Sequence, residues 1–188
     1  MARLLLVPFL ATLAFTLLRL TGDLLRWSPI EPYEIAWLVP IFGVYLGAQL
    51  ARESAPPAPG TILTTAALPA VLFVTGLALF RPTSGAMAVI SVLAVVLVRR
   101  VWPRLNSALF GYALAARVPV AIAMLAATSG EWETVYDVAP FSLAAGLLPQ
   151  LTVWIGFTVL VGTLSAALFL RVKMARDREP LGGSTAMS

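Results

Sequence analysis

Long apolar stretches alternate along the chain with short clusters of proline, glycine and charge. Six stretches stand out: Leu4 to Leu20, Ile35 to Leu50, Ile62 to Phe80, Ala86 to Val98, Leu105 to Ala127 and Leu151 to Val172. A helix rising 1.5 Å per residue needs about 20 residues to cross a hydrocarbon core about 30 Å thick. The first, third, fifth and sixth stretches meet that demand. The second and fourth need their flanks, with Arg99 and Arg100 reaching back to the headgroups. The pattern predicts an all-α polytopic membrane bundle of about six transmembrane helices over residues 1–172. A basic-to-polar tail, 173–188, is expected to be disordered.

Composition strengthens the membrane reading. Only 12% of the 188 residues are charged and 60% are hydrophobic, whereas a soluble domain carries about 25% charged residues. The mean hydropathy is +0.91. A bilayer is therefore the expected partner of most of this surface.

Charge then orients the spans. With six crossings, Arg3, Arg52, Arg99, Arg100, Arg104, Arg171, Lys173, Arg176 and Arg178 fall on one side. Arg19, Arg26 and Arg81 fall on the other, together with Asp23, Glu31, Glu34, Glu131, Glu133 and Asp137. Cytoplasmic loops collect Lys and Arg, so both termini are expected in the cytoplasm. Trp27, Tyr33, Trp37, Trp132, Tyr136 and Trp154 lie near the outer boundary so defined, and Trp102 near the inner one. The first stretch lacks a small-x-small cleavage site and ends in Arg19, which predicts a retained helix and not a signal peptide. Abundant alanine and an arginine-for-lysine bias suggest a GC-rich bacterial genome, and with it a cytoplasmic (inner) membrane.

The residue inventory narrows the chemistry. Cysteine and histidine are both absent, which removes disulfides, thiolate nucleophiles and the usual ligands of zinc, copper or haem. The commonest general base is missing too. No enzyme activity, metal or cofactor is expected. Despite a pI near 10.1, no basic patch interleaved with aromatics points to nucleic acid.

Arg117 is the sharpest functional signal. It sits near the middle of the fifth stretch, where a charge costs about 2.5–3.5 kcal/mol on insertion scales. The outer interface is about 15 Å away along the helix. Such a residue faces the bundle interior and needs a partner, for which Tyr45, Tyr112, Gln49, Gln150 and the Ala115 carbonyl freed by Pro119 are candidates. It serves as the anchor of an anionic ligand or of a gating ion pair, or else as a structural arginine that fixes packing. The ligand-binding candidates are Arg117, Tyr112, Tyr136, Asp137 and Gln150. Arg19, Asp23, Arg26, Glu34, Glu131 and Glu133 are candidate charges of an outer mouth. The spacing of Arg19, Asp23 and Arg26 equally suits a surface ion pair at a helix end. The carboxylates and aromatics of 130–137 equally suit a solvated loop.

Gly43 and Gly47 form a GxxxG motif, and Thr158, Gly162 and Ala166 make a second small-residue stripe. Such stripes allow helix backbones to approach closely, within a chain or between chains. Apolar residues 141–148, ahead of Pro149, are too short to span and suit an interfacial or re-entrant helix. In size and helix count the chain resembles the substrate-capture subunits of energy-coupling-factor vitamin transporters. The AxxxA pattern of their first helix is absent from Leu4 to Leu20, and no family is assigned. Two functions are carried forward. One is binding or transport of a small, anionic solute through an outward-facing pocket near Arg117. The other is an accessory or scaffold subunit that docks on a membrane-protein partner, or on its own copies, through the small-residue faces.

Overall fold

The computed structural model describes residues 2–27, 34–132, 134, 136 and 143–177. These form seven α-helices and one 3-10 turn: α1 (Ala2–Leu24), a turn at Glu34–Trp37, α2 (Leu38–Glu53), α3 (Pro59–Leu79), α4 (Gly85–Arg99), α5 (Pro103–Gly130), α6 (Leu143–Leu151) and α7 (Val153–Arg176). Local chemistry sets the ends. Pro59 and Pro103 open α3 and α5 in the first turn, where the missing N–H is not needed. The Ser84 hydroxyl accepts the Met87 N–H and caps α4. Two helices end on non-glycine residues in the left-handed region, α1 at Arg26 (φ 55°) and α5 at Glu131 (φ 51°). In each, the next N–H folds back onto the helix: Trp27 bonds the Gly22 carbonyl at 2.7 Å and Trp132 the Ala127 carbonyl at 3.1 Å.

All six apolar stretches are helical, but their lengths differ. Four helices are long and apolar enough to cross a membrane: Arg3–Leu24, Pro59–Leu79, Pro103–Gly130 and Gly146–Arg176. Helices α2 and α4 have 16 and 15 residues, about 24 and 22 Å of rise, short of the hydrocarbon thickness. The segment expected as an interfacial or re-entrant piece ends in α6, which leads directly into α7. Thr152 alone interrupts them, and its hydroxyl donates to the Leu148 carbonyl at 2.6 Å. Residues 141 and 142 of that segment lie outside the described residues. Helix α7 extends to Arg176, past the expected boundary at 172, and 178–188 lie outside the described residues.

The bundle is built around α7, which packs against α2, α3, α4, α5 and α6. Of its span, 61% is buried, against 22% for α1, which lies mainly on α5. Leu6, Val7, Leu10, Val71, Val74, Val89 and Ile122 all face outward. Exposed aliphatic surface of this extent belongs in lipid, not water. The protein is a helical membrane bundle.

Small residues let the central pair meet. A Cβ at Gly43 would lie 2.5 Å from the Gly162 Cα and carbonyl oxygen, and one at Gly47 would lie 2.5 Å from the Ala166 Cβ. The GxxxG face of α2 thus lies against the small stripe of α7 within the same chain. Between α4 and α5 the tie is polar. Asn106, 3% exposed, donates from Nδ2 to the Val95 carbonyl at 3.0 Å. Interhelical bonds of this kind contribute about 0.6–1.7 kcal/mol in membranes. Asn106→Ala is expected to lower stability by about 1–2 kcal/mol once the lost side-chain volume is included. Thermal unfolding in mild detergent measures this; an unchanged midpoint would show that the bond contributes nothing.

Candidate functional site

A cavity of about 350 Å³ opens between α1, α2, α5 and α7 at the end of the bundle where α1 and α5 terminate. Each wall reaches it through residues spaced one helical turn apart. Helix α1 supplies Thr12, Thr16 and Arg19; α5 supplies Tyr112, Ala116, Val120 and Met124, with Arg117 beside them. From the α6–α7 run come Gln150, Trp154 and Thr158, and Ala36 and Val39 close the α2 side. Tyr136, from the connection after α5, is buried and lines the cavity as well.

Arg117 projects inward from the middle of α5, 14 residues after Pro103 and 13 before Gly130 (117 − 103 and 130 − 117). Its Nη1 donates to Gln150 Oε1 at 3.3 Å, a long bond. Its guanidinium carbon stands 4.7 Å from the Trp154 ring centre, a cation–π contact. An edge-on contact with Phe157 at 5.5 Å helps to hold that indole. The Arg117 Nε–H is enclosed and has no hydrogen-bond partner.

The second cation of the cavity is Arg19, 9% exposed. Its guanidinium lies 5.8 Å from the Tyr136 ring centre, and its Nε is likewise enclosed without a hydrogen bond. Three contacts set how α1 runs along α5. Leu5 meets Gly111, Thr12 Oγ1 is 3.1 Å from the Tyr112 hydroxyl, and Leu20 packs on the cluster of Ala123, Met124 and Ala127. The helices are therefore parallel. From the Thr12–Tyr112 level, Arg19 lies seven residues up and Arg117 five, about 10 and 8 Å of rise. The backbone positions of Arg19 and Arg117 thus stand at nearly the same height on two walls of one cavity.

Asp23, one turn beyond Arg19, brings one carboxylate to the same region. Burial raises the Tyr136 phenol above its ordinary pKa; Arg19 and Arg117 pull it back and Asp23 pushes it up. With this upward shift Tyr136 stays neutral at physiological pH. Among the described residues the cluster carries two positive charges and one negative.

The sequence-derived candidates fall into three groups. Arg117, Tyr112, Tyr136, Gln150 and Arg19 come together in the cavity. Arg26 and Glu131 sit at helix termini, exposed, and do not line it, and Asp23, in the last turn of α1, does not line it either. Glu133, Asp137 and the Glu34 side chain lie outside the described residues. A surface ion pair is the simplest sequence reading of Arg19, yet Arg19 is buried against Tyr136. Tyr45 and Gln49, two candidate partners for Arg117, do not line the cavity. Thr12 and Thr16 escape sequence reasoning, and Trp154 and Thr158 are legible there only as a boundary aromatic and part of a packing stripe. The one signal for the first two is spacing, since Thr12, Thr16 and Arg19 recur at i, i+4 and i+7 on α1.

Fold and cavity together define a helical membrane protein with a two-arginine cavity reaching from one end toward mid-bundle. The chain matches no protein-family model, no curated protein and no solved structure.

Proposed function

We propose that the protein binds a small anionic solute between Arg19 and Arg117 and carries it across the membrane. One observation supports this above all. Two enclosed guanidinium Nε–H groups, without hydrogen-bond partners among the described residues, line one cavity, and one described carboxylate lies in the same region. Buried donors are normally satisfied, and an anion supplies the missing acceptor and the missing charge together. The mid-helix depth of Arg117 favours translocation over a purely peripheral receptor role. Basic residues gather at the opposite end of the bundle, at Arg99, Arg100, Arg104, Arg171, Lys173 and Arg176. By the positive-inside rule this supports cytoplasmic termini and a cavity opening outward; the arginine-for-lysine bias of the sequence supports residence in a bacterial cytoplasmic membrane. The accessory-subunit reading has less support, because the GxxxG face it would offer a partner is filled by α7.

The test is ligand-induced stabilisation of the detergent-solubilised protein with chloride, acetate, butyrate, lactate, sulfate and phosphate. An anion at 100 times its Kd adds about 2.7 kcal/mol. At least one is expected to raise the unfolding midpoint, and Arg19→Gln and Arg117→Gln are expected to lose the response. No shift with any anion at millimolar concentration, or full shifts in both variants, would sink the anion site.

A further inference from the structure

The hydroxyl groups below the arginines have their protons committed in a way that bears on the ligand. Thr16 Oγ1 donates to the Thr12 carbonyl at 2.9 Å, and Thr158 Oγ1 donates to the Trp154 carbonyl at 2.8 Å. Thr12 and Tyr112 share a hydrogen bond at 3.1 Å that consumes one of their two protons. A hydroxyl has one donor and two acceptor lone pairs. Thr16 and Thr158, 4% and 2% exposed, line the cavity; their hydroxyl oxygens keep acceptor lone pairs and have no proton left to give. The arginines present donors. The two halves of the site are complementary in sign, and a bare carboxylate satisfies only one of them.

Resting on the anion-site reading, we infer that the ligand is a singly charged anion that also carries a hydrogen-bond donor, a hydroxy acid in type. Its charged end meets Arg19 and Arg117, and its hydroxyl donates to the Thr16 or Thr158 oxygen. A single charge matches the balance of the described residues, two guanidiniums with the Asp23 carboxylate near Tyr136. The donor follows from the threonines, because a ligand without one leaves buried acceptors facing its apolar chain. Sites built to bond a ligand hydroxyl discriminate strongly against the analogue that lacks it. The volume suits a small molecule, at the lower end of ligand cavities, with Val39 and Val120 against its carbon skeleton.

The experiment moves a hydroxyl along a fixed carbon chain. Dissociation constants of the full-length protein in mild detergent are measured by calorimetry for butyrate and for 2-, 3- and 4-hydroxybutyrate. At least one isomer is expected to bind about 10-fold or more tighter than butyrate. Thr16→Val or Thr158→Val is expected to reduce that advantage below about 3-fold. Valine keeps the shape and removes a bond to the residue's own helix, which helices do not need, so both variants are expected to fold. An advantage under about 3-fold for every isomer, or one that survives in both variants, overturns the inference. So does tighter binding of succinate, a dianion of the same chain length, than of every monoanion. A different result strikes the underlying reading: butyrate and all isomers failing to bind wild type, or binding Arg117→Gln equally well. Selective loss of the hydroxyl preference thus separates the two failures.

Discussion

Gly43→Leu is expected to prevent the bundle from assembling, and even Gly43→Ala to lower its stability by about 1–3 kcal/mol, the usual range for overpacking. The reason is where the added carbon goes. At 2.5 Å from both the Cα and the carbonyl oxygen of Gly162, it meets backbone and not the movable tip of a side chain. Helix α7 would have to retreat, and α7 touches five other helices, so the displacement is not absorbed locally. Gly162 is held on its other side, since a Cβ there would meet Leu109 Cδ2 at 2.5 Å. Gly60 provides the control. It lies in the first turn of α3, and a Cβ added there would have nothing within 4 Å. Alanine at that position gains up to about 1 kcal/mol in helix propensity. Yield, monodispersity and melting midpoint of the three variants measure the effect. Equal stability of Gly43→Ala and Gly60→Ala would refute close packing of α2 on α7.

The same contact shows what a sequence can and cannot carry. Apolar stretches report helices well, because membrane helices satisfy their backbone within a single segment. All six are helical, with ends moved by a few residues where Pro59, Ser84 and Pro103 set them. The GxxxG of Gly43 and Gly47 announces a close approach, but the partner is 119 residues away (162 − 43) and spacing alone cannot name it. Arg117 is legible because a mid-span charge is expensive wherever it points. Arg19 is not, because arginines near helix ends ordinarily reach the interface. Its burial depends on Tyr136 arriving from the connection after α5. Trp154 and Thr158 are silent as cavity residues for a simpler reason: indole and threonine hydroxyl are tolerated in lipid-facing helices, so their presence asks for no explanation.

Enclosing Arg19 and Arg117 in one cavity has an energetic consequence. Each guanidinium has exchanged water for a partly enclosed site, where a charge without a counter-ion is costly. The ligand-free protein therefore holds a site that is less stable than its surroundings, as expected where binding and not folding governs the residue choice. Thr12, Thr16 and Tyr112 cannot relieve this, because hydroxyls carry no net charge. An anion can.

Arg117→Met is accordingly expected to act in opposite directions on stability and on binding. Methionine keeps the length and much of the volume of the arginine stem while removing the charge, the long Gln150 bond at 3.3 Å and the Trp154 contact at 4.7 Å. Those interactions contribute on the order of 1–2 kcal/mol together. The desolvation of a buried cation is several kcal/mol. In anion-free buffer the variant is expected to be about 1–2 kcal/mol more stable than wild type. With a saturating anion the order reverses, because wild type gains the binding free energy and the variant, weakened at least 100-fold (about 2.7 kcal/mol), does not. An arginine kept for packing gives the contrary sign, since breaking a satisfied buried charge network costs about 3–5 kcal/mol. Melting curves of both proteins with and without the anion decide between them. If Arg117→Met is the less stable protein in anion-free buffer, Arg117 serves the fold, and the cavity is not a binding site organised around it.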